Sequence, residues 1–425
     1  MLRKFLISSF LMTAFGIGFG LFAQMALARF LQPEQYGVYN FIFAVSSVLS
    51  VIASIGFQNS VVRLVPMILQ ENKPEGQIRG LFIFSSLCTL GVSLLTGGLI
   101  FSGLYLFGYS DIYSPLVLVL GVFLTLLMAL ARLYGRFLRG FKLSTQSIGI
   151  ETTYREAFFL SALLCLFILG GGLQSASSAL FLMLLSCLIT AILGIGMLFL
   201  KQPKIFREKP TYQRKHWLDI SWPMIIAVFA LRLLRRTDII ILGLMVDPSL
   251  VGIYALAALF AEASGITEKA VMPVYSPRAA EAFKQERFKD LYALTTKIRL
   301  IIISGTFIIM SGIIFFSPYV FPFFGEGFEK GTTSMIILMA GYFISTCFGP
   351  VQYLLLMTRY ERQVMKISVY ATIANLILNP PMIYYFGLEG AAITTCAILI
   401  VRKLSLYFFA KKHNLFTLDQ NHQSS

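Results

Sequence analysis

Arg232, Arg235, Arg236 and Asp238 fall within two helical turns of an otherwise apolar stretch. Arg232 and Arg236 are four apart and share a helix face, while Arg235 and Asp238 are three apart and spaced to pair. Three guanidiniums against one carboxylate leave positive charge uncompensated. A charged side chain at the centre of a membrane helix costs about 2.5–3.5 kcal/mol on insertion scales. Lipid therefore excludes such a patch, whereas a water-filled cavity that receives an anion accommodates it. The competing reading is an internal salt-bridge network that only orients helices. Glu262, Glu268 and Lys269 follow in the next apolar stretch, with Glu262 and Lys269 seven apart on one face, and Arg29 and Arg63 stand in the N-terminal half. The expected anion-binding set is thus Arg29, Arg63, Arg232, Arg235, Arg236 and Lys269, with Asp238 and Glu262 as coupling groups. Arg132, Arg155, Arg402 and Lys403 lie toward the ends of their stretches, where snorkelling to the interface accounts for them.

A second constellation is neutral and rich in oxygen. Asn375 and Asn379 are one turn apart, and Thr394 and Thr395 lie in the last apolar stretch. At about 1.5 Å of rise per residue, Asp238, Asn379 and Thr394 all lie roughly 8–14 Å below the outer membrane surface. Carboxylate, amide and hydroxyl oxygens suit a hard cation such as Na⁺ and no soft metal. Hydrogen bonds between helices account for the same residues equally well. Cys88, Cys165, Cys187, Cys347 and Cys396 are scattered singly in apolar runs, which points to packing. His216, His413 and His422 fall in a linker and the tail, which removes imidazole from any intramembrane proton relay.

The elements that must hold these residues follow from composition. Of 425 residues, 57% are hydrophobic and 13% charged, against about 25% charged in a soluble domain. With a mean hydropathy of +0.77, the chain is an all-α integral membrane protein. About 20 apolar residues span the hydrocarbon. This predicts twelve transmembrane helices near 5–31, 38–65, 80–107, 114–135, 152–173, 176–200, 218–246, 250–276, 298–324, 332–357, 364–386 and 389–410. The first, too long for a signal-peptide core, reads as a retained span. The net charge of +15 sits in alternate loops. One side carries Arg3, Lys4, Lys73, Arg79, the 136–142 and 201–215 clusters, those of 278–299 and 359–366, and Lys411 and Lys412; the other carries Lys330. Positive-inside reasoning puts both termini in the cytoplasm, and placement in short loops argues against nucleic acid as a partner. The 281–300 segment, with Phe288, Leu291 and Ile298 among charges, is expected to lie along the membrane surface.

The two halves repeat at an offset of 215: Pro33, Gly37 and Tyr39 fall against Pro248, Gly252 and Tyr254, and Arg63 against Arg278. Six helices per half is an even number, so the repeats are parallel, related by an axis along the membrane normal. The expected organisation is a six-helix lobe at 1–200, a basic cytoplasmic linker at 201–217, a second six-helix lobe at 218–410 and a cytoplasmic tail at 411–425. Outer loops such as 32–37 and 387–388 are too short to carry the external catalytic groups of a glycosyltransferase or polymerase, so no enzyme and no cofactor is expected.

Ala28-Arg29-Phe30-Leu31, Gly37-Val38-Tyr39, Gly56 and Arg63 carry a resemblance, as do the runs Asp238 to Gly243 and Val251 to Tyr254. The chain resembles the polysaccharide-biosynthesis (O-antigen) flippases, in the superfamily that also holds multidrug/toxin extruders and the lipid II flippase. The resemblance implies two lobes forming a V-shaped central cavity in the bacterial inner membrane. It also implies transfer of undecaprenyl-pyrophosphate-linked oligosaccharide to the outer leaflet. A cation-coupled multidrug antiporter of the same fold is the alternative, disfavoured by the arginines. Similarity to the lipid II flippase implies a sodium site at Asp238, Asn375, Asn379 and Thr394, although Asn379 replaces an expected acid. Ala23 and Gln24 stand where that flippase has an arginine–aspartate pair. The coupling ion implied is Na⁺ or H⁺. Partners implied are the lipid-linked oligosaccharide, membrane lipids and glycan polymerase machinery, with the chain itself a monomer.

Overall fold

The computed structural model describes residues 2–70, 74–170, 172–173, 175–358 and 360–413. Lys73, Arg359, His422 and the rest of the 414–425 tail therefore lie outside the described residues. All described regular structure is helical. The chain forms two compact units, Met1–Gly243 with Asp247–Gly252, and Leu244–Val246 with Ile253–Ser425.

The first unit opens with α1 (Leu2–Phe30), α2 (Pro33–Ala53), α3 (Phe57–Ile68), α4 (Pro74–Leu106) and α5 (Pro115–Gly140). It continues through α6 (Ser144–Ile148), α7 (Tyr154–Ile168), α8 (Ala176–Lys201), α9 (Arg214–Ser221), α10 (Pro223–Leu234) and α11 (Thr237–Met245). Prolines begin α2, α5 and α10, where the missing N–H has no intrahelical partner to lose. Helix α5 packs on α2, α3, α4 and α8, and α1 packs on α7. Their shared core includes Phe57, Leu64, Leu133, Phe137, Leu138 and Trp217. Helix α2 is buried almost from end to end, so its polar residues find backbone partners: the Ser46 hydroxyl donates to the Gly121 carbonyl at 3.0 Å. Gly56, at φ 77, turns the chain between α2 and α3, and its backbone lies against the Ser221 carbonyl.

The turns Pro33–Gly37 and Pro248–Gly252 pack on each other reciprocally. A β-carbon at Gly37 would overlap the Pro248 carbonyl oxygen, and one at Gly252 would overlap that of Pro33. Close by, the Tyr113 hydroxyl donates to the Gly243 carbonyl at 2.7 Å. Burial there pushes the Tyr113 phenol above its usual range.

The second unit holds most of α12 (Pro248–Ser264), then α13 (Ile266–Lys284), α14 (Phe288–Phe324), α15 (Thr332–Cys347), α16 (Val351–Met357) and α17 (Glu361–Lys412). Helix α17 packs on α15 and α16, and α13 on α14 and α16. At 52 residues α17 is about 78 Å of helix at 1.5 Å per residue, more than twice the hydrocarbon thickness. Gly387, at φ 56 and ψ −132, breaks it, and Gly390 then lies against the Met382 carbonyl, so two helices meet there.

Several expectations change. Among the described residues, eight helices are long and apolar enough to span, or ten when each of two pairs bent by 45° is one span. The expected fifth span is a 15-residue helix, α7, preceded by a π-helical turn over Gly149–Thr153, because Glu151, Arg155 and Glu156 crowd its start. The expected seventh is three short helices, and the eighth bends at Gly265. The 281–300 segment does not lie apart as a surface helix. Its Leu291 and Ile298 are buried against Tyr275, Ala279 and Ala282, and Tyr275 shares a 3.0 Å hydrogen bond with Thr295. Gly37→Ala is expected to lower the melting temperature of the purified protein, since overpacking costs about 1–3 kcal/mol or more. Gly98→Ala, with open space around the added carbon, is expected to leave it within error.

Candidate functional site

Helix α10 ends at Leu234 and α11 begins at Thr237, so the interruption falls at Arg235 and Arg236. Arg232 stands on the last turn of α10, and the Arg236 N–H still donates to the Leu233 carbonyl at 2.8 Å. Arg235 is exposed, and Arg232 and Arg236 are half-buried. Asp238 is buried on the first turn of α11, where the helix dipole favours a carboxylate, and its Oδ1 accepts from the Ile239 N–H at 2.9 Å. The expected pairing of Arg235 with Asp238 does not form, because the break removes the three-residue helical spacing it needs.

Helices α2, α5 and α7 bring further groups to the same region. Phe43 of α2 has the Arg236 guanidinium 5.8 Å and the Arg155 guanidinium 6.0 Å from its ring centroid. Each such contact is worth about 0.5–1 kcal/mol at exposed sites and more when desolvated. Arg155 forms an ion pair with its neighbour Glu156, and both are largely buried. Toward one end of α5, Glu151 pairs with Arg136 at 3.2 Å and Arg139 at 3.0 Å and accepts from the Ser147 hydroxyl at 2.8 Å. The charges of Arg136, Arg155, Arg235 and Arg236 all act on Arg232. Those of Arg232 and Arg155 act on Arg132. Among the described residues no carboxylate lies within 4 Å of Arg132, Arg232, Arg235 or Arg236. This is an arginine cluster without ion-paired carboxylates among the described residues.

The sequence places Arg132 among the snorkelling residues and outside the anion-binding set. In the structure Arg132 sits on α5 at 8% exposure, and its Nη1 has no hydrogen-bond partner among the described residues. Snorkelling is therefore wrong for Arg132, whose side chain turns inward between helices. It is equally wrong for three others. Arg155 is held by Glu156; buried Lys403 pairs with Glu268 at 2.9 Å; Arg402 donates to Ser368 Oγ at 3.1 Å and Gln352 Oε1 at 3.0 Å. The sequence did hold a signal: Arg132, Arg136 and Arg139 are spaced i, i+4, i+7 on α5, one helix face, which marks an inward stripe rather than separate interfacial charges.

Arg29, on the last turn of α1, and Arg63, on α3, are both exposed. Gln24 accepts a 3.3 Å hydrogen bond from the Tyr36 hydroxyl. In the second unit, Glu262 is on α12 and Lys269 on α13, and the 45° bend between them ends the shared face expected of a straight helix. Asn375 and Asn379 are buried one turn apart, with Asn379 Nδ2 donating to Asn375 Oδ1 at 2.8 Å. The Thr394 hydroxyl donates to the Gly390 carbonyl at 2.9 Å. Asn379 Oδ1 and Thr395 Oγ1 are buried with no hydrogen-bond partner among the described residues. Among the described residues no cluster of three or more His, Cys, Asp or Glu is present.

A helical membrane protein with an unneutralised arginine cluster and broken helices has the construction of a transporter. The family described as Polysaccharide biosynthesis protein matches residues 2–283, and the chain belongs to it. Among solved structures, an inward-facing multidrug resistance MATE family transporter of the MOP superfamily is similar at TM-score 0.74 and 12% identity, covering 93% of each chain. The lipid II flippase MurJ in an inward closed conformation is similar at TM-score 0.73 and 15% identity, covering 95% of this chain and 87% of that one. No curated protein matches. The fold is thus shared with a membrane transporter and a lipid flippase.

Glu156→Gln removes the charge that neutralises buried Arg155. It is expected to destabilise the protein by about 3–5 kcal/mol, read by thermal unfolding. The double variant Arg155→Met/Glu156→Leu should recover most of that loss.

Proposed function

We propose that the protein flips undecaprenyl-pyrophosphate-linked oligosaccharide from the inner to the outer leaflet of the bacterial inner membrane by alternating access. The observation that carries the reading is the set Arg232, Arg235 and Arg236: charge inside an apolar helix, at its break, with no ion pair to a carboxylate among the described residues. A sugar head group crossing lipid loses hydroxyl hydrogen bonds at roughly 2–7 kcal/mol each if uncompensated, and the pyrophosphate adds its charge. Guanidiniums that receive the pyrophosphate lower that barrier while the prenyl tail stays in lipid. Arg29 and Arg63 of the first unit and Lys269 of the second extend the anion-binding set. Membership of the polysaccharide biosynthesis family supports a glycan as cargo. Three arginines oppose the cationic substrates of a multidrug antiporter.

Twelve spans in two parallel six-helix repeats, with lobes at 1–200 and 218–410 and both termini cytoplasmic, remain the topology of this reading. The reciprocal packing of the Pro33 and Pro248 turns supports the repeat. Asp238 and Glu262 are the coupling carboxylates. Na⁺ would find the orphaned Asn379 oxygen together with Asn375 and Thr394 as neutral ligands, and its entry down the electrochemical gradient would supply the driving force. The chain acts as a monomer and hands its cargo to polymerase machinery.

Arg232→Ala/Arg236→Ala is expected to abolish surface glycan in a deletion strain while protein level is unchanged. The lipid-linked sugar should then stay on the inner leaflet by leaflet-specific labelling; normal surface glycan refutes the reading. Asn379→Ala is expected to raise the Na⁺ concentration for half-maximal transport about tenfold, the scale of one lost ligand interaction. Unchanged Na⁺ dependence would leave H⁺ as the coupling ion.

A further inference from the structure

We infer that Arg132 is the specificity-determining residue of a phosphoryl subsite on the first unit, one that distinguishes a diphosphate from a monophosphate head group. The inference rests on the lipid-pyrophosphate reading and adds to it a residue outside the arginine set of the seventh span. Arg132 belongs to α5, the helix around which the first unit packs, so its position is held by α2, α3, α4 and α8. Its side chain is buried, and Nη1 lacks an acceptor among the described residues.

The neighbours sharpen the case. Arg155 is already neutralised by Glu156, and Arg136 and Arg139 share Glu151. The charge of Arg232 acts on Arg132, and among the described residues neither forms an ion pair, Glu151 reaching Arg132 only at longer range. Exposure grades from Arg235, which is exposed, through half-buried Arg232 to buried Arg132. An anion drawn in by Arg235 and Arg236 meets Arg232 first and Arg132 last. A monophosphate is satisfied by the outer guanidiniums. The second phosphoryl group of a diphosphate reaches the inner one, whose free N–H then gains a charged acceptor in a medium where such a bond is strong. A buried guanidinium kept only for architecture would be held by a carboxylate, as Arg155 is by Glu156.

The test uses the purified full-length protein in nanodiscs, with farnesyl diphosphate, farnesyl monophosphate and inorganic pyrophosphate as probes in calorimetric titrations. Wild type is expected to bind the farnesyl diphosphate about tenfold or more tighter than the monophosphate, the scale of one charge-assisted hydrogen bond. Arg132→Gln should bring that ratio close to one while monophosphate affinity holds. Inorganic pyrophosphate competing in wild type but not in Arg132→Gln shows that the head group alone is read. Its failure to compete, with the farnesyl ratio intact, shows that the lipid form is required. Melting without ligand separates the roles: relief of an uncompensated charge predicts that Arg132→Gln and Arg132→Met melt no lower than wild type. A lower melting temperature in both, or an unchanged ratio in Arg132→Gln, overturns the inference and leaves the flippase reading standing. No binding of either farnesyl phosphate by wild type overturns both.

Discussion

Positive charge without a carboxylate, held among apolar helices, is the constraint to which the rest of the first unit answers. Arg232 acts on Arg132, Arg235 and Arg236 act on Arg232, and among the described residues none of the four forms an ion pair. A chain selected only to stay folded would replace such groups with aliphatic side chains, which buried ion-pair studies show to be neutral or stabilising. Their retention makes sense when a bound anion supplies the missing charge during part of the working cycle. The nearby pairs of Arg155 with Glu156 and Glu151 with Arg136 and Arg139 show that the fold neutralises arginines readily where nothing else must bind.

Holding this cluster in place requires rigidity from elements that carry none of its charge. Helix α2 supplies most of it: it is buried along nearly its whole length, offers the Phe43 ring to two guanidiniums, and packs on α4, α5, α8 and α10. Its start is set by the reciprocal turn at Gly37 and Gly252, where neither residue tolerates a β-carbon. Its end is set by Gly56 against the Ser221 carbonyl, reinforced by the 2.5 Å hydrogen bond between the Ser60 and Ser221 hydroxyls. These contacts fix Ser221 at the end of α9, and α10, which follows directly, packs on α2 ahead of the arginines.

Much of this was legible in the sequence and some was not, for identifiable reasons. Membrane class, helical fold and the charged seventh stretch followed from composition and from residue types, which burial in lipid constrains directly. The glycines of the two turns were legible because Pro and Gly act through local backbone chemistry. Helix breaks at Arg235, Gly265 and Gly349 were not, because apolar periodicity runs straight through them while tertiary packing decides where hydrogen bonding stops. Depth alone misplaces Arg132. Position along a helix does not separate an inward guanidinium from a snorkelling one, whereas the face that Arg132 shares with Arg136 and Arg139 does.

The two units also differ in what they leave unsatisfied. In the first, the buried orphan beside the arginines is a donor, Arg132 Nη1; in the second, the orphan beside the paired asparagines is an acceptor, Asn379 Oδ1. The second unit neutralises its own deep cation, Lys403, with Glu268 and satisfies Arg402 through Ser368 and Gln352. An orphan donor and an orphan acceptor are complementary to ions of opposite sign, which is the chemistry that the proposed anion and cation sites would each require.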